Sequence, residues 1–282
     1  MQVFSSIEEM QNICLDYKRM GKSIGLVPTM GALHEGHLAL VKAAKSVCDV
    51  IVVSIFVNPI QFGAGEDYEI YPRNIDADKA LLEKEGVHLL FAPAASEMYP
   101  RGYSSFVEIE GKVTEKLCGA SRPGHFRGVA TVVSKLFNIC QPDYAFFGQK
   151  DAQQAVVIEK MAKELNFPIN IIRVPTVREP DGLAMSSRNQ YLSPEERKQA
   201  LVLYRALKLA REEIISGETN IERVKDYIKE IIQTSPQADI DYVEILNEED
   251  LSEMGEIKGR VLIALAVKFG STRLIDNLIV EV

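Results

Sequence analysis

The composition of the chain excludes several broad classes of protein. It has 282 residues, of which 46% are hydrophobic and 26% charged, and its formal net charge is −8. This length supports a substantial core and lies near the size at which chains divide into two domains. The acidic balance, with a pI near 5.2, argues against a broad surface for nucleic acid or anionic membranes. It does not exclude a nucleotide, because a few cations that converge locally are enough to bind one.

The cysteines and the N-terminal segment predict a cytoplasmic protein. The four cysteines lie far apart with no C-x-x-C pair, so we expect free thiols in a reducing compartment. The first ten residues contain no basic segment that leads into an apolar one, which predicts no signal peptide. No apolar run approaches the ~20 residues that a membrane span requires.

Predicted strands and helices alternate over the first 175 residues. Near-continuous apolar runs, such as residues 49–57, predict strands that are covered on both faces, as in a parallel sheet. Helical patterns separate these runs, which is typical of a doubly wound α/β sheet whose ligands lie beyond the C-terminal strand ends. The predicted strands are 23–28, 49–57, 87–92, 143–148 and 169–175, and the predicted helices are 5–20, 37–48, 74–86, 126–140 and 152–165.

The last third of the chain predicts a different, smaller unit. A capping box at Ser193 opens a helical pattern that continues to Gly217. The remaining predicted elements are a helix at 221–234, strands at 240–246, 261–269 and 274–280, and a tight turn at 270–271. Two helices and a small antiparallel sheet form an α+β domain. We therefore divide the chain into residues 1–180 and residues 181–282.

The segment H-E-G-H at residues 34–37 lies between a predicted strand and a predicted helix. A glycine turn, a helix N-terminus and two imidazoles supply hydrogen-bond donors and partial positive charge, which favour a bound phosphate. His34 and His37 are three positions apart, and this spacing excludes the H-E-x-x-H zinc helix. No third metal ligand is adjacent. A polar turn with one surface histidine and one capping histidine is the alternative.

Two further polar segments contain candidate phosphate ligands. Lys150 and Asp151 follow a buried apolar strand, where Lys150 is placed to reach a phosphate and Asp151 to cap the next helix or bind the ligand. The segment 185–188 (M-S-S-R) offers two hydroxyls and an arginine, which suit a triphosphate. Residues 179–182, which precede this segment, are rich in turn-forming residues, and this is typical of a mobile lid. For Lys150 and Asp151 the alternative is a solvated turn in which the aspartate is an N-cap. For residues 185–188 the alternative is a plain interdomain linker.

Three neutral amides, those of Asn58, Gln61 and Gln154, are candidate substrate ligands near predicted strand ends. Amides donate and accept hydrogen bonds without adding charge. They suit a small polar substrate that has hydroxyl groups and a carboxylate.

Five segments together resemble one enzyme family. P-T-M-G-A-L-H-E-G-H at 28–37 resembles the H-x-G-H signature of the nucleotidyltransferase superfamily. The superfamily's second signature, K-M-S-K-S, is represented only by M-S-S-R at 185–188, without the lysines. F-V-N-P-x-Q-F at 56–62, R-P-G-H-F-R-G-V at 122–129 and F-G-Q-K-D at 147–151 complete the set. In this order they are similar to the pantothenate synthetase (pantoate–β-alanine ligase) family over essentially the whole chain.

The resemblance implies a reaction and an architecture. Pantoate, β-alanine and ATP, with Mg²⁺, would give pantothenate, AMP and pyrophosphate through a bound pantoyl-adenylate. The implied architecture is a Rossmann-like domain that binds ATP and pantoate (1–180), a smaller C-terminal lid domain (181–282) and a homodimer. No nucleic acid or membrane partner is implied.

The resemblance also implies roles for individual residues. The catalytic residues would be His37, His34, Lys150 and Arg188, and the substrate-binding residues Gln61, Gln154 and Asn58. No residue is assigned as a metal ligand, although Asp76 and Asp78 are acidic residues that we consider near magnesium. The ATP-binding residues would be Met30, Gly31, Ala32, Leu33, His34, Glu35, Gly36, His37, Gly148, Gln149, Lys150, Asp151, Val177, Met185, Ser186, Ser187 and Arg188.

Two alternative functions remain open. The first is another small-substrate adenylyltransferase, which would need extra cations for a phosphorylated substrate where this chain has Gln61 and Gln154. The second is a non-catalytic nucleotide sensor, which would not need two histidines beside the phosphates.

Overall fold

The computed structural model describes all residues from Met1 to Val282 and divides them into two compact units. They are called unit 1 and unit 2. Unit 1 comprises Met1–Ile109, Arg122–Gly148 and Val157–Pro175. Unit 2 comprises Glu110–Ser121, Gln149–Val156 and Thr176–Val282. The domain boundary between residues 180 and 181 stays a prediction.

The nine strands form two sheets, one in each unit. Those of unit 1 are β1 (Gln2–Phe4), β2 (Ile24–Thr29), β3 (Val50–Ile55), β4 (Leu89–Phe91), β5 (Tyr144–Gly148) and β6 (Asn170–Val174). Those of unit 2 are β7 (Ala238–Asn247), β8 (Arg260–Phe269) and β9 (Thr272–Glu281).

The sheet of unit 1 is entirely parallel, with the order β1-β4-β3-β2-β5-β6. This confirms the predicted doubly wound α/β fold. Residues of β3 such as Ile51 and Val53 are fully buried, as expected for a strand covered on both faces. The edge strand β1 was missed, because three residues are too few to show a strand pattern.

The strand order reverses at β2. The chain passes from β2 to β3 and β4 on one side and then returns to β5 on the other. Such a reversal is the topological switch point of an open α/β sheet, where ligands bind beyond the C-terminal strand ends. The histidine segment 34–37 follows β2 directly, so the fold places it at this point.

Eleven helices accompany the strands; six agree with the predicted bounds to within a few residues, and three short ones, Ala95–Met98, Lys112–Glu115 and Leu117–Ser121, were not predicted. The eleven helices are α1 (Ile7–Arg19), α2 (Glu35–Lys45), α3 (Ile75–Lys84), α4 (Ala95–Met98), α5 (Lys112–Glu115), α6 (Leu117–Ser121), α7 (His125–Cys140), α8 (Ala152–Glu164), α9 (Pro194–Gln199), α10 (Val202–Ile215) and α11 (Ile221–Gln233). Ser6 caps α1 through its side chain, next to the helix start predicted at residue 5.

The predicted helix from Ser193 to Gly217 is wrong as a single element. The structure contains α9, which ends at Gln199, and α10, which begins at Val202. The capping box of Ser193 and Glu196 stabilises α9, whereas α10 buries an apolar face. No glycine or proline stands between them, so helical spacing alone gave no sign of the break.

Unit 2 is built on the antiparallel sheet β7-β8-β9, which confirms the predicted α+β character. Its core is formed by buried residues of the sheet together with those of α10 and α11, including Leu207, Ile228 and Ile263. Gly270, with φ of +59°, makes the tight turn between β8 and β9.

The four cysteines are free thiols. Cys14, Cys118 and Cys140 are buried, and Cys48 is half-buried. None of the helices combines the length and the apolar character that crossing a membrane requires.

Candidate active site

The side chains of the two histidines at the start of α2 both accept hydrogen bonds from backbone N–H groups of the helix start. His34 is the N-cap residue, and its Nδ1 accepts from the Gly36 N–H at 3.1 Å. The Nδ1 of His37 accepts from the His34 N–H at 3.3 Å. A backbone N–H can only donate, so each Nδ1 is an acceptor and each neutral ring has its proton on Nε2. The ring centroids are 4.1 Å apart. The pair therefore presents two Nε2–H donors at a helix N-terminus.

Asp78 of α3 holds the loop that leads to these histidines. Its carboxylate accepts from the Ala32 N–H at 3.0 Å and from the Leu33 N–H at 2.8 Å. Gly31 and Ala32 both have positive φ values, +85° and +50°, and Ala32 is therefore in a conformation that L-residues rarely adopt. Asp78 is only 3% exposed. The carboxylate that the sequence placed near magnesium thus binds backbone amides of the loop.

Asn58, Gln61 and Met30, three of the predicted site residues, are brought together in unit 1. Gln61 lies in a 3₁₀ turn, Pro59–Gln61, shortly after β3. Asn58 Nδ2 donates to Gln61 Oε1 at 3.0 Å, and Gln61 Nε2 lies 2.9 Å from the Met30 sulfur. Asn58 is 1% and Gln61 8% exposed, so both amides occupy a site largely closed to solvent.

Gly128 of α7 allows the helix to pack directly against the turn that carries Gln61. A Cβ on Gly128 would lie 2.4 Å from the Ile60 carbonyl oxygen and 2.5 Å from Gln61 Cα. Only glycine fits there without moving the turn. This explains why the R-P-G-H-F-R-G-V segment contains a glycine near the start of a helix.

His125 and Arg122 support the backbone of Gln61. His125 Nδ1 lies 2.8 Å from the Gln61 carbonyl oxygen, and Arg122 Nη1 lies 3.0 Å from His125 Nε2. Because a carbonyl only accepts and a guanidinium only donates, His125 has its proton on Nδ1. The basic segment is therefore a support for Gln61, a role that sequence reasoning missed.

Arg122 also anchors the segment that follows Gln61. Its Nε donates to Glu66 Oε1 at 2.7 Å and its Nη2 to Glu66 Oε2 at 2.6 Å, a bidentate pair. Burial raises the pKa of Glu66, but the hydrogen bonds and charge of Arg122 outweigh it and hold that pKa below its ordinary value.

In unit 2, Asn277 of β9 binds the turn that contains Lys150. Its Nδ2 donates to the carbonyl oxygens of Gln149 and Lys150, each at 2.9 Å. Gln149 Nε2 donates to Asn277 Oδ1 at 3.2 Å. Lys150 Nζ lies 3.7 Å from Asp151 Oδ1. Asn277 was missed, although a polar Asp-Asn pair within the otherwise apolar run 274–280 was a visible signal.

The segment 185–188 directly follows an isolated antiparallel β-bridge in unit 2. The Met185 N–H donates to the Val177 carbonyl at 2.9 Å, and Arg178 pairs with Ala184 across the bridge. Ser186 caps the 3₁₀ turn Ser187–Tyr191 by accepting from the Arg188 N–H at 3.3 Å. The backbone of the predicted phosphate loop is thus tied at Met185 and Ser186.

Acidic side chains form ion pairs and hydrogen bonds with residues on both sides of this loop. Arg178 binds Asp276 of β9 at 2.6 and 2.9 Å. Glu179 accepts from Asn189 Nδ2 at 2.8 Å and from Arg197 at 2.7 Å. The residues before the loop, which the sequence predicted to be mobile, are therefore held by several side-chain contacts.

Gln154 is half-buried on the first turn of α8, and its neighbour Gln153 is buried. Gln153 Nε2 donates to the carbonyl oxygens of Val113 and Lys116 at 2.9 and 2.7 Å. Gln153 is therefore a structural residue of unit 2. No group of three or more His, Cys, Asp or Glu side chains is arranged to hold a metal ion.

Comparison with known proteins places the chain among ligases. The family model for pantoate–β-alanine ligase matches residues 2–279. A pantothenate synthetase of Syntrophomonas wolfei is 66% identical over 282 residues, 100% of both chains. A pantothenate synthetase of Carboxydothermus hydrogenoformans is 59% identical over the same length, again 100% of both chains.

Solved structures agree with this placement. A pantothenate synthetase from Thermus thermophilus is similar with a TM-score of 0.93 and 46% identity, over 99% of both chains. A pantoate–β-alanine ligase from Francisella tularensis, in complex with β,γ-ATP and β-alanine, has a TM-score of 0.82 and 35% identity. That match covers 99% of this chain and 97% of the other. The chain belongs to the pantoate–β-alanine ligase family.

Proposed function

We propose that the protein condenses pantoate with β-alanine at the expense of ATP, through an enzyme-bound pantoyl-adenylate. The observation that carries the proposal is the pair His34 and His37, which present Nε2–H donors at the N-terminus of α2 in a member of this family. The Francisella relative in complex with β,γ-ATP and β-alanine supports ATP and β-alanine as substrates.

In the first step, a carboxylate oxygen of pantoate attacks the α-phosphorus of ATP. The bond from that phosphorus to the bridging oxygen breaks, and pyrophosphate leaves. A carboxylate is already ionised near neutral pH and needs no general base. What the reaction needs is alignment of the two reactants and neutralisation of charge on the leaving group. The Nε2–H groups of His34 and His37, with the positive end of α2, supply that neutralisation.

In the second step, the neutral amine of β-alanine attacks the acyl carbon of the adenylate. The bond from that carbon to the phosphate oxygen breaks, AMP leaves, and the new amide nitrogen loses a proton to solvent. The acyl-adenylate is a mixed anhydride and must be shielded from water until the amine arrives. Residues 181–282 are proposed to act as a lid domain on the catalytic domain 1–180.

We assign the remaining ligands by chemistry. Lys150 and Arg188 bind phosphate oxygens as cations, and the Ser186 and Ser187 hydroxyls bind them as donors. Gln61 and Gln154 bind the hydroxyls and carboxylate of pantoate, whereas Asn58, whose amide hydrogens are both engaged by Gln61 and Gly128, contributes by holding Gln61. The remaining nucleotide ligands are proposed to be Met30, Gly31, Ala32, Leu33, Glu35, Gly36, Gly148, Gln149, Asp151, Val177 and Met185.

Three further features belong to the proposal. Mg²⁺ enters with the ATP phosphates, which are its ordinary partners in nucleotide enzymes, and no residue of this chain is assigned to it. The protein acts as a homodimer. It works in the cytoplasm, where ATP is available and where a reducing environment suits its four free cysteines.

AMP release from purified protein tests the function. We expect steady AMP formation with Mg-ATP, pantoate and β-alanine together, and loss of that turnover when either pantoate or β-alanine is left out. ATP binding without AMP under all conditions would overturn the proposal in favour of a nucleotide sensor. AMP or pyrophosphate formation that ignores pantoate but responds to another acid or phosphorylated acceptor would favour a different adenylyltransferase.

A further inference from the structure

A hydrogen-bonded chain leads from Tyr99 to Gln61. The Tyr99 hydroxyl lies 2.8 Å from Asn58 Oδ1. Asn58 Nδ2 lies 3.0 Å from Gln61 Oε1 and 3.1 Å from the carbonyl oxygen of Gly128. Tyr99 follows α4, 41 residues from Asn58 in sequence, and no sequence motif pointed to it.

The Gly128 carbonyl determines which group donates in each hydrogen bond between Tyr99, Asn58 and Gln61. A carbonyl oxygen only accepts, so the atom of Asn58 that faces it is the amide nitrogen. Asn58 Oδ1 then faces Tyr99, whose hydroxyl must donate. The second hydrogen of Asn58 Nδ2 points to Gln61, whose facing atom must be the oxygen. The Nε2 group of Gln61 is therefore turned away from Asn58.

We propose that Tyr99 is a positioning residue, which acts through Asn58 to fix the Gln61 amide so that its Nε2–H donates to an oxygen of the carboxylic-acid substrate. This inference rests on the proposed function and adds a specificity element to it. The substrate must present a hydrogen-bond acceptor at this point, either a carboxylate oxygen or a hydroxyl oxygen.

The Nε2 group of Gln61 has only a weak partner in this structure. Its Nε2 lies 2.9 Å from the Met30 sulfur, and a thioether is a weak acceptor. A substrate oxygen is a better partner, so exchanging the sulfur for it favours binding. Since Asn58 is 1% exposed, water has little access to replace the Tyr99 hydrogen bond if it is lost.

Tyr99 is held in place and remains a donor. Its ring packs against Phe56, at 6.0 Å between centroids, and against Tyr103 at 5.0 Å. Burial, with a smaller contribution from Tyr103, raises the pKa of the Tyr99 hydroxyl well above its ordinary value. The hydroxyl therefore stays protonated over the working range of pH.

The test compares Tyr99→Phe with Tyr103→Phe, the same substitution in the neighbouring ring. Wild-type turnover is measured first, since its failure would overturn the proposed function itself. We expect Tyr99→Phe to raise the KM for pantoate about ten-fold, as the loss of one buried hydrogen bond predicts, with the KM for ATP unchanged. Tyr103→Phe should leave both values unchanged. Equal effects of the two variants, or an equal rise in both KM values for Tyr99→Phe, would overturn the inference.

A measurement on the unmodified protein keeps the inference falsifiable if Tyr99→Phe does not fold. With ¹⁵N-glutamine labelling, the side-chain NH₂ resonances of Gln61 are assigned by their absence in Gln61→Glu. We expect them to shift when pantoate binds, because the NH₂ group exchanges its partner from sulfur to oxygen. Pantoate binding that leaves these resonances unmoved would contradict a donor turned toward the substrate.

Discussion

The Nδ1 atom of His37 accepts a hydrogen bond from the backbone N–H of His34 at 3.3 Å, while the His34 ring caps the same helix. This reciprocal capping does two things at once. It satisfies N–H groups that a helix start leaves open, and it fixes both rings in the tautomer with the proton on Nε2. One short segment thus stabilises α2 and supplies the proposed donors to pyrophosphate.

Replacing His34 by asparagine should separate these two roles. Asparagine is a good N-cap residue, so its side-chain oxygen keeps the bond to the Gly36 N–H while the Nε2–H donor is lost. We expect an unchanged melting temperature and a fall of roughly 10²-fold in the rate of adenylate formation, the usual loss for one stabilising donor. Rapid-quench measurement of pyrophosphate under single-turnover conditions gives that rate. A near-normal rate in a folded His34→Asn variant would remove His34 from the mechanism.

Asp78→Asn should loosen the loop that precedes the histidines. An asparagine side chain has one acceptor oxygen, so it can satisfy the N–H of Ala32 or of Leu33 but places its own NH₂ against the other. We expect a stability loss of about 1–3 kcal/mol, measured by urea unfolding, together with a higher KM for ATP. Asp76→Asn, two residues earlier in the same first turn of α3 and exposed, is the control. If both variants lose equal stability, the backbone contacts of Asp78 do not hold the loop.

Gly128→Ala should displace the turn that carries Gln61. The added Cβ would lie 2.5 Å from Gln61 Cα, closer than real contacts allow. We expect destabilisation of about 1–3 kcal/mol or more and a marked loss of pantoate affinity, measured by thermal unfolding and by titration calorimetry. Gly255→Ala is the matched control, since nothing lies within 4 Å of its Cβ position. Normal pantoate affinity in a folded Gly128→Ala protein would show that the turn tolerates movement.

The ion pair of Glu66 and Arg122 predicts a pH dependence for the segment after Gln61. The pKa of Glu66 is lower in the folded protein than its ordinary value of 4.5, because Arg122 stabilises the charged form against the effect of burial. A lowered folded pKa contributes stability that is present above 4.5 and is lost as the pH falls through the folded value.

Limited proteolysis of residues 62–73 at pH values from about 6 down to 3 checks this dependence. Cleavage should become faster as Glu66 is protonated. Glu66→Gln should be cleaved faster already at pH 6 and show less change on acidification. Identical pH profiles for the wild type and Glu66→Gln would contradict the role of the pair.

Local pattern predicted the main elements of both units. Apolar runs such as 49–57 indicated buried strands, and β3 lies within that run. The capping box at Ser193 located the start of a helix. These predictions succeeded because strand burial and helix capping depend on residues that are adjacent or three to four positions apart.

The supporting residues of the site could not be predicted, because their contacts are distant in sequence. Asp78 binds residues 45 and 46 positions away, Tyr99 binds Asn58 across 41 positions, and Asn277 binds Gln149 across 128. No local spacing links such pairs. The family resemblance identified candidate substrate-binding residues. The side chains that orient them are visible only in the folded structure.

Transfer of oxygen from the substrate tests the central claim most directly. Pantoate labelled with ¹⁸O in its carboxylate is incubated with Mg-ATP, β-alanine and the protein, and the products are analysed by mass spectrometry. Attack of the carboxylate on the α-phosphorus leaves one ¹⁸O atom in the phosphate of AMP for each pantothenate formed. We expect that stoichiometry. AMP without label, or label in inorganic phosphate, would contradict a pantoyl-adenylate intermediate.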